Sequence, residues 1–420
     1  MTTNNDPSTI FTSHLPNGVR IVSHTSEHHH SCGVGIFWLN GAPHQTDRQA
    51  GYDHFLEHLL FKGTAEFDAK TLSLKFEAMG GHVNGHTGRE ISTLYGVVPS
   101  SDYLKLARLL ASMVAYPCFG SEDVSLERDV VLQEMAMTQD VMEEALRDKA
   151  IAAVWRDHPM GKPVLGNVET IDHATAASLR FYWRQICYGR RFIVVATGNI
   201  HHDSLVHACQ DLSTLPAGEE PQSARLDFIQ TRQRQIKPLS QNLMLWLMPA
   251  PGGASPMLHT LHIANHILGG GTSSRLFKQI RERLGLAYHV SSRIDIYQDS
   301  SLWMIECGCD PKRQNQCQNA IAETLEDLAR HGPTETEMAL ARQHLSATLM
   351  IDADNPEAIM ERMARENFHL GRGLSLDQHL AHLDAATAWD VKNLVAAAAK
   401  TPSTLEWTPL EASKDKSPAA

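Results

Sequence analysis

Gly51-Tyr52-Asp53-His54-Phe55-Leu56-Glu57-His58-Leu59-Leu60-Phe61 is the stretch from which the rest of the chain can be ordered. It reads as one buried helix carrying two imidazoles and a carboxylate. Positions i and i+4 lie on one helix face with i+3 beside them, so His54 and His58 can reach one metal ion with Glu57 next to it. Phe55 with Leu59, and Leu56 with Leu60, point elsewhere and anchor the helix in a core. Two neutral imidazoles suit zinc, and a neighbouring carboxylate can accept a proton from a metal-activated water.

Composition sets the bounds around that helix. A chain of 420 residues with 42% hydrophobic content suits two domains with substantial cores. The balance of 37 Lys+Arg against 48 Asp+Glu, a net charge of −11, argues against nucleic acid and is compatible with cationic peptides. The seven cysteines show no disulfide framework. Cys307-Gly308-Cys309 forms C-x-C and the other five are scattered, which points to reduced, mostly buried thiols in a reducing compartment. The polar start of the chain lacks the basic and apolar regions of a signal peptide. No apolar run approaches the roughly 18 residues of a spanning helix. The expectation is a soluble, cytoplasmic protein with no membrane partner.

Along the chain, Asn17-Gly18 predicts a hairpin turn within Phe11–Ser23, and Cys32–Leu39 reads as a second strand. His28, His29 and His30 between them read as an exposed polar turn. After the His54–His58 helix, Lys62-Gly63-Thr64 breaks the pattern. Asp68 caps a helix ending at Gly80-Gly81, and two strands follow over His82–Thr87 and Ile91–Val98. An edge strand there could pair with an extended peptide. Ser121 caps a long helix predicted to run toward Trp155. Residues 191–200 form a buried strand. Residues 213–241, rich in Pro, Gln, Ser and charge, read as a linker ending in an edge strand. The second half repeats the plan, with strands near 242–248, 288–296, 302–309 and 405, and helices between them. The expected domains are 1–212, carrying the metal site, and 242–420.

Two carboxylates complete the pattern. Glu127 and Glu134 are seven apart on the long helix, on one face and roughly 10 Å apart along its axis. One ion can therefore take only one of them directly, with the other supporting from further out. The spacing alone does not say which.

His54-x-x-Glu57-His58 is the inverted form of the H-E-x-x-H motif, and with E-x6-E following it the chain resembles the pitrilysin-type (inverzincin) zinc peptidases. Within these it resembles the short-chain branch that includes mitochondrial processing peptidase and bacterial relatives. Glu134 falls 76 positions after His58, in keeping with the family pattern. The resemblance implies one Zn2+ per chain held by His54, His58 and Glu134, with Glu57 as general base and Glu127 as support. Gly80-Gly81-His82-Val83-Asn84-Gly85-His86-Thr87 resembles the family's G-G-x-x-N-A-x-T edge strand, so Asn84, Gly85 and Thr87 are candidate substrate contacts. Gly85 stands where Ala is usual. Arg281 and Tyr288 resemble the family's distal Arg/Tyr pair, which can stabilise a developing oxyanion. Asp53, where relatives carry a small or apolar residue, is expected to cap the helix.

The resemblance implies an α+β fold of two similar domains, each a mostly antiparallel sheet with helices packed on one face, closing as a clamshell on a peptide or unfolded segment. The function implied is a zinc endopeptidase. The alternatives are a precursor-processing subunit working with an inactive homologue, for example in quinone-cofactor biosynthesis, or a non-catalytic family member. Since one chain carries both the zinc motif and the Arg/Tyr pair, a homodimer is expected, with a heterodimer with an inactive homologue as the other possibility.

Overall fold

The computed structural model describes residues 9–40, 45–156, 158–219 and 226–410. The polar start of the chain and residues 220–225 of the expected linker lie outside these. The chain divides into two compact units. No helix among the described residues is long and apolar enough to cross a membrane.

The first unit is built on a six-stranded sheet of β1 (Thr9–His14), β2 (Arg20–Thr25), β3 (Ser31–Leu39), β4 (His82–Thr87), β5 (Ile91–Pro99) and β6 (Phe192–Gly198), in the order β1-β2-β6-β3-β5-β4. Only β2 and β6 pair in parallel. Strand side chains alternate between faces, and here both faces are apolar. Val34, Ile36 and Trp38 of β3, with Phe192, Val194 and Ala196 of β6, meet Phe55, Leu56, Leu59 and Leu60 of the Tyr52–Leu60 helix in one core. Phe37, Ile193 and Val195 turn the other way, into a smaller cluster with Ile359, Met360 and Met363.

Those last residues belong to the helix Pro356–Leu370, which covers the second face of the sheet. Asn355 caps it, Pro356 opens it, and Gly371 at φ 74° closes it. Thr197 Oγ1 donates to Pro356 O at 2.6 Å, and Arg20 Nη1 donates to Asn367 O at 2.9 Å.

The second unit has a five-stranded sheet of β7 (Arg232–Lys237), β8 (Asn242–Pro251), β9 (Ala287–Ile296), β10 (Ser300–Cys309) and β11 (Ser403–Pro409), ordered β7-β11-β8-β10-β9. Again a single pair, β7 with β11, is parallel. The helix Met142–Val154 packs on β8 and β11 and buries Leu146, Ala150, Ile151 and Val154.

The units are discontinuous in sequence. The first comprises Met1–Thr138, Lys162–Ala224 and Ile351–Gly373; the second comprises Gln139–Gly161, Arg225–Met350 and Leu374–Ala420. Each half of the sequence lends one amphipathic helix to the other half's sheet. The single long helix expected from Ser121 toward Trp155 is two, Ser121–Asp140 and Met142–Val154, parted by an extended Val141 (φ −84°, ψ 94°) just beyond the unit boundary at Thr138 and Gln139.

A seam of histidines lies among the second unit's helices. His259 and His266 stand two turns apart on the helix Leu258–Gly269, with His262 between them. His259 exchanges a 3.0 Å hydrogen bond with His379 and lies beside His382, while His266 stacks on His344. Burial first, then the charges that His379, His382 and His262 would carry, push the His259 pKa down to about 3. Folded His259 thus stays neutral in a range where the unfolded residue, with pKa about 6.5, takes up a proton. Its contribution to stability is complete above that value and is lost as pH falls toward about 3.

Two outcomes are expected. Chemical denaturation at a series of pH values will show stability falling below about pH 6.5, with His259→Gln flattening the acid limb by up to about 1.4 kcal/mol per pH unit. Gly51, at φ 87° before the Tyr52–Leu60 helix, has no room for a methyl group, since a Cβ would stand 2.4 Å from Leu165 O. Gly51→Ala is expected to cost about 2 kcal/mol or more in the same assay.

Candidate metal centre and active site

The Tyr52–Leu60 helix has its two faces fixed by packing. With Phe55, Leu56, Leu59 and Leu60 in the core, His54 and His58 face the helix Ser121–Asp140. Their rings are 4.7 Å apart. Nε2 of His54 is 3.6 Å from Glu134 Oε2, and Nε2 of His58 is 3.5 Å from the same oxygen. Ligands held 2.0–2.2 Å from one tetrahedral zinc ion lie about 3.3–3.5 Å from each other. Two imidazoles and a carboxylate, their ligand atoms all within 4.8 Å of one another, suit such an ion. Among the described residues, this is the one group of three potential ligands gathered so closely.

Glu127 sits behind His58. Its Oε2 is 3.0 Å from His58 Nδ1, and its Oε1 is 2.5 Å from Lys62 Nζ. Accepting from Nδ1–H fixes the His58 tautomer, so the Nε2 lone pair is free to face Glu134. Of the two carboxylates the spacing left open, Glu134 joins the histidines and Glu127 stands behind. Lys62, read from the sequence only as part of a helix break, neutralises the buried Glu127. Its signal was its place one turn beyond His58. His54 Nδ1 is buried and has no hydrogen-bond partner among the described residues. Burial, then the nearby His58 and His86, push the His54 pKa down to about 3, so this imidazole is neutral and able to ligate.

Glu57 lies beside the cluster and against β4, the edge of the sheet. Thr87 Oγ1 donates to Glu57 Oε2 at 2.8 Å. A Cβ on Gly85 would fall 2.5 Å from Glu57 Oε1. Gly85 therefore leaves room for the carboxylate, a role the sequence comparison of glycine with alanine did not bring out. Burial raises the Glu57 pKa, and the bond from Thr87 and the nearby imidazoles of His58 and His86 work against that rise.

The remaining candidates separate. Thr87 is buried and turned to Glu57. Asn84 is exposed on the edge strand, where its Oδ1 accepts from Gly85 N at 2.9 Å. His82 is drawn to Glu357 at 3.2 Å. Asp53 does not cap the helix: Gly51 occupies that position, and buried Asp53 accepts a 3.0 Å bond from Tyr182 Oη. His28 and His30 are exposed, in the connection between β2 and β3. In the second unit, Arg281 Cζ lies 4.8 Å from the Tyr288 ring centroid and 4.9 Å from that of Phe277. The helix that carries Arg281 has π geometry over Phe277–Arg283. Gly308 pairs with His289 and Cys309 with Ala287, so Tyr288 is the extra residue of a β-bulge and stands 83% exposed.

Comparison with known proteins bears on this arrangement. The description Insulinase (Peptidase family M16) matches residues 20–168, and Peptidase M16 inactive domain matches residues 173–345. A protein of Mycobacterium bovis named as an uncharacterized zinc protease is 33% identical over 91% of this chain and 89% of its own. The chain belongs to peptidase family M16. Another family relative with the same description, from Bacillus subtilis, is 28% identical over 90% of this chain and 93% of its own. Among solved structures, a protease from Helicobacter pylori matches with a TM-score of 0.88 at 18% identity, covering 96% of this chain and all of that one. A peptidase M16 inactive domain from Pseudomonas fluorescens matches at 0.87 and 17%, covering 96% and 98%. At those identities the M16 likeness to solved structures is one of fold.

Removing the Glu127 charge unties His58 and leaves Lys62 unmatched. Glu127→Gln is expected to weaken divalent-metal binding about 10–100-fold, measured by competition with a chromogenic chelator.

Proposed function

We propose that this chain is a zinc-dependent endopeptidase acting on extended peptides or unfolded segments. The observation that carries the reading is the bond from Thr87 to Glu57, which ties the candidate base to the strand whose outer edge is open to a substrate. An extended peptide pairing with β4 has its backbone held by main-chain hydrogen bonds. Its carbonyls then run past Glu57 and the His54, His58 and Glu134 cluster.

A Zn2+ ion held by those three residues, one per chain, would polarise the scissile carbonyl and make a water molecule acidic near neutral pH. Glu57 accepts the proton of the attacking water and delivers it to the departing amine. Thr87 keeps one carboxylate oxygen occupied, which leaves the other for proton transfer. Glu127 and Lys62 hold His58 in the ligating tautomer. Arg281 and Tyr288 carry a guanidinium and a phenol, groups whose chemistry suits an oxyanion. Both the zinc cluster and that pair lie in one chain, which supports a homodimer over a heterodimer with an inactive homologue.

Metal analysis with cleavage of a mixed peptide library tests the reading. Wild type is expected to bind one zinc and cleave. Glu57→Gln is expected to keep the metal and lose about 10²–10⁴ of the rate. A wild type without zinc, or a Gln variant equally fast, would sink the proposal.

A further inference from the structure

Edge strand β4 has little of its own to hold it in place. Of its six residues only Thr87 is buried, and it pairs with β5 alone. Gly81, Gly85 and Gly88, in and beside it, bring no side chain to pack. Yet Thr87 and Gly85 are the residues that fix Glu57 from outside its helix. The position of β4 has to be set by contacts beyond the strand.

The turn that joins β4 to β5 carries those contacts. Buried Asn40, just past β3, meets the turn with three hydrogen bonds. Its backbone N donates to Glu90 O at 2.8 Å, its Nδ2 donates to Gly88 O, and its Oδ1 accepts from Ser92 Oγ at 2.5 Å. These bonds tie the turn to β3, which already flanks β5.

A second set comes from the helix Pro356–Leu370 on the sheet's other face, which reaches the hairpin at both ends. Glu357 in its first turn pairs with His82 at the start of β4, and His369 in its last turn places Nε2 2.9 Å from Glu90 Oε2. Between them, Ile91 and Tyr95 of β5 pack against the cluster of Ile359, Met360 and Met363. The two pairs are not equal. The His82 and Glu357 side chains are 58% and 29% exposed, so water screens them. Those of His369 and Glu90 are 4% and 18% exposed, and a charge-assisted bond so far out of water holds more strongly and is costlier to break.

We propose that His369 and Glu90 are positioning residues for peptide cleavage: their pair holds the β4–β5 turn against the helix Pro356–Leu370, and with it the strand that receives the peptide and braces Glu57. The helix can bear that role because it is seated on inner strands of the sheet, through Thr197 to Pro356 O and Arg20 to Asn367 O. A continuous series of contacts thus runs from β6 and β2 through the helix and His369 to Glu90, along β4 to Thr87, and on to Glu57. The effect on cleavage rests on the peptidase reading; the anchoring of the strand does not. The metal cluster is built on two other helices, so breaking the pair leaves it in place.

The test compares the full chain with three variants by hydrogen–deuterium exchange, chelator competition for zinc and peptide kinetics. In His369→Ala, exchange over residues 82–91 is expected to quicken about 10-fold while β1 and β2 keep wild-type rates. Zinc affinity is expected to stay as in wild type. KM for an extended peptide is expected to rise about 10-fold, with a smaller change in kcat. His369→Gln keeps an N–H donor for Glu90 and is expected to restore both exchange and KM. Glu90→Ala leaves no carboxylate buried without a partner. It is expected to match His369→Ala and gives the same reading if that variant does not fold.

Unchanged exchange over 82–91 in the alanine variants would overturn the proposal. So would loosening spread evenly through the sheet, an unchanged KM beside a loosened hairpin, or a His369→Gln protein no better than His369→Ala. A wild type that cleaves no peptide, beside a hairpin loosened by His369→Ala, would sink the peptidase reading and leave the anchor standing.

Discussion

Burying a carboxylate beside a metal-binding histidine is costly unless positive groups meet it, and breaking such a pairing typically destabilises by about 3–5 kcal/mol. Glu127 is the buried carboxylate on which this site turns. Its demand for partners draws Lys62 and His58 Nδ1 to one side of the helix Ser121–Asp140. Once that helix is set in register by Glu127, Glu134 arrives two turns on, where His54 and His58 converge. The helix packs by Val124, Val131 and Met135, positions that leave the glutamates on the face turned to the histidines. One ion pair thus sets a tautomer, a helix register and the position of Glu134.

The same economy governs Glu57. It is held between a hydroxyl from Thr87 and the bare backbone of Gly85, so the edge strand fixes it from outside the helix that carries it. A base positioned by its own helix alone would be free to turn with the rotamers of a long side chain. Held from the strand, it moves only if the strand moves.

The local elements were legible in the sequence because local chemistry fixes them. Alternating apolar residues gave most of the strands, and Asp68, Asn17-Gly18 and Gly80-Gly81 gave their caps and turns. The candidate ligands were legible for a different reason: helical spacing puts His54 and His58 on one face, and family resemblance pointed to Glu134. What could not be read were features decided by tertiary packing. Val141 carries no mark of a break in a helix-forming run; it is extended because Leu146 and Ile151 belong to a different sheet from Val131 and Met135. Thr87 reads as a strand residue, and only folding shows its hydroxyl at Glu57. The bulge at Tyr288 has no glycine to announce it.

The exchange of helices between the halves bears on how the chain is made. The sheet that carries the His54–His58 helix keeps one apolar face bare until Ile359, Met360 and Met363 exist to cover it. During synthesis the ribosome must therefore add most of the chain before the first unit can finish. A nascent chain stopped at residue 212 would hold its ligands in sequence while exposing Phe37, Ile193 and Val195 to solvent. The half that carries His54 and His58 thus completes its sheet only together with the C-terminal half.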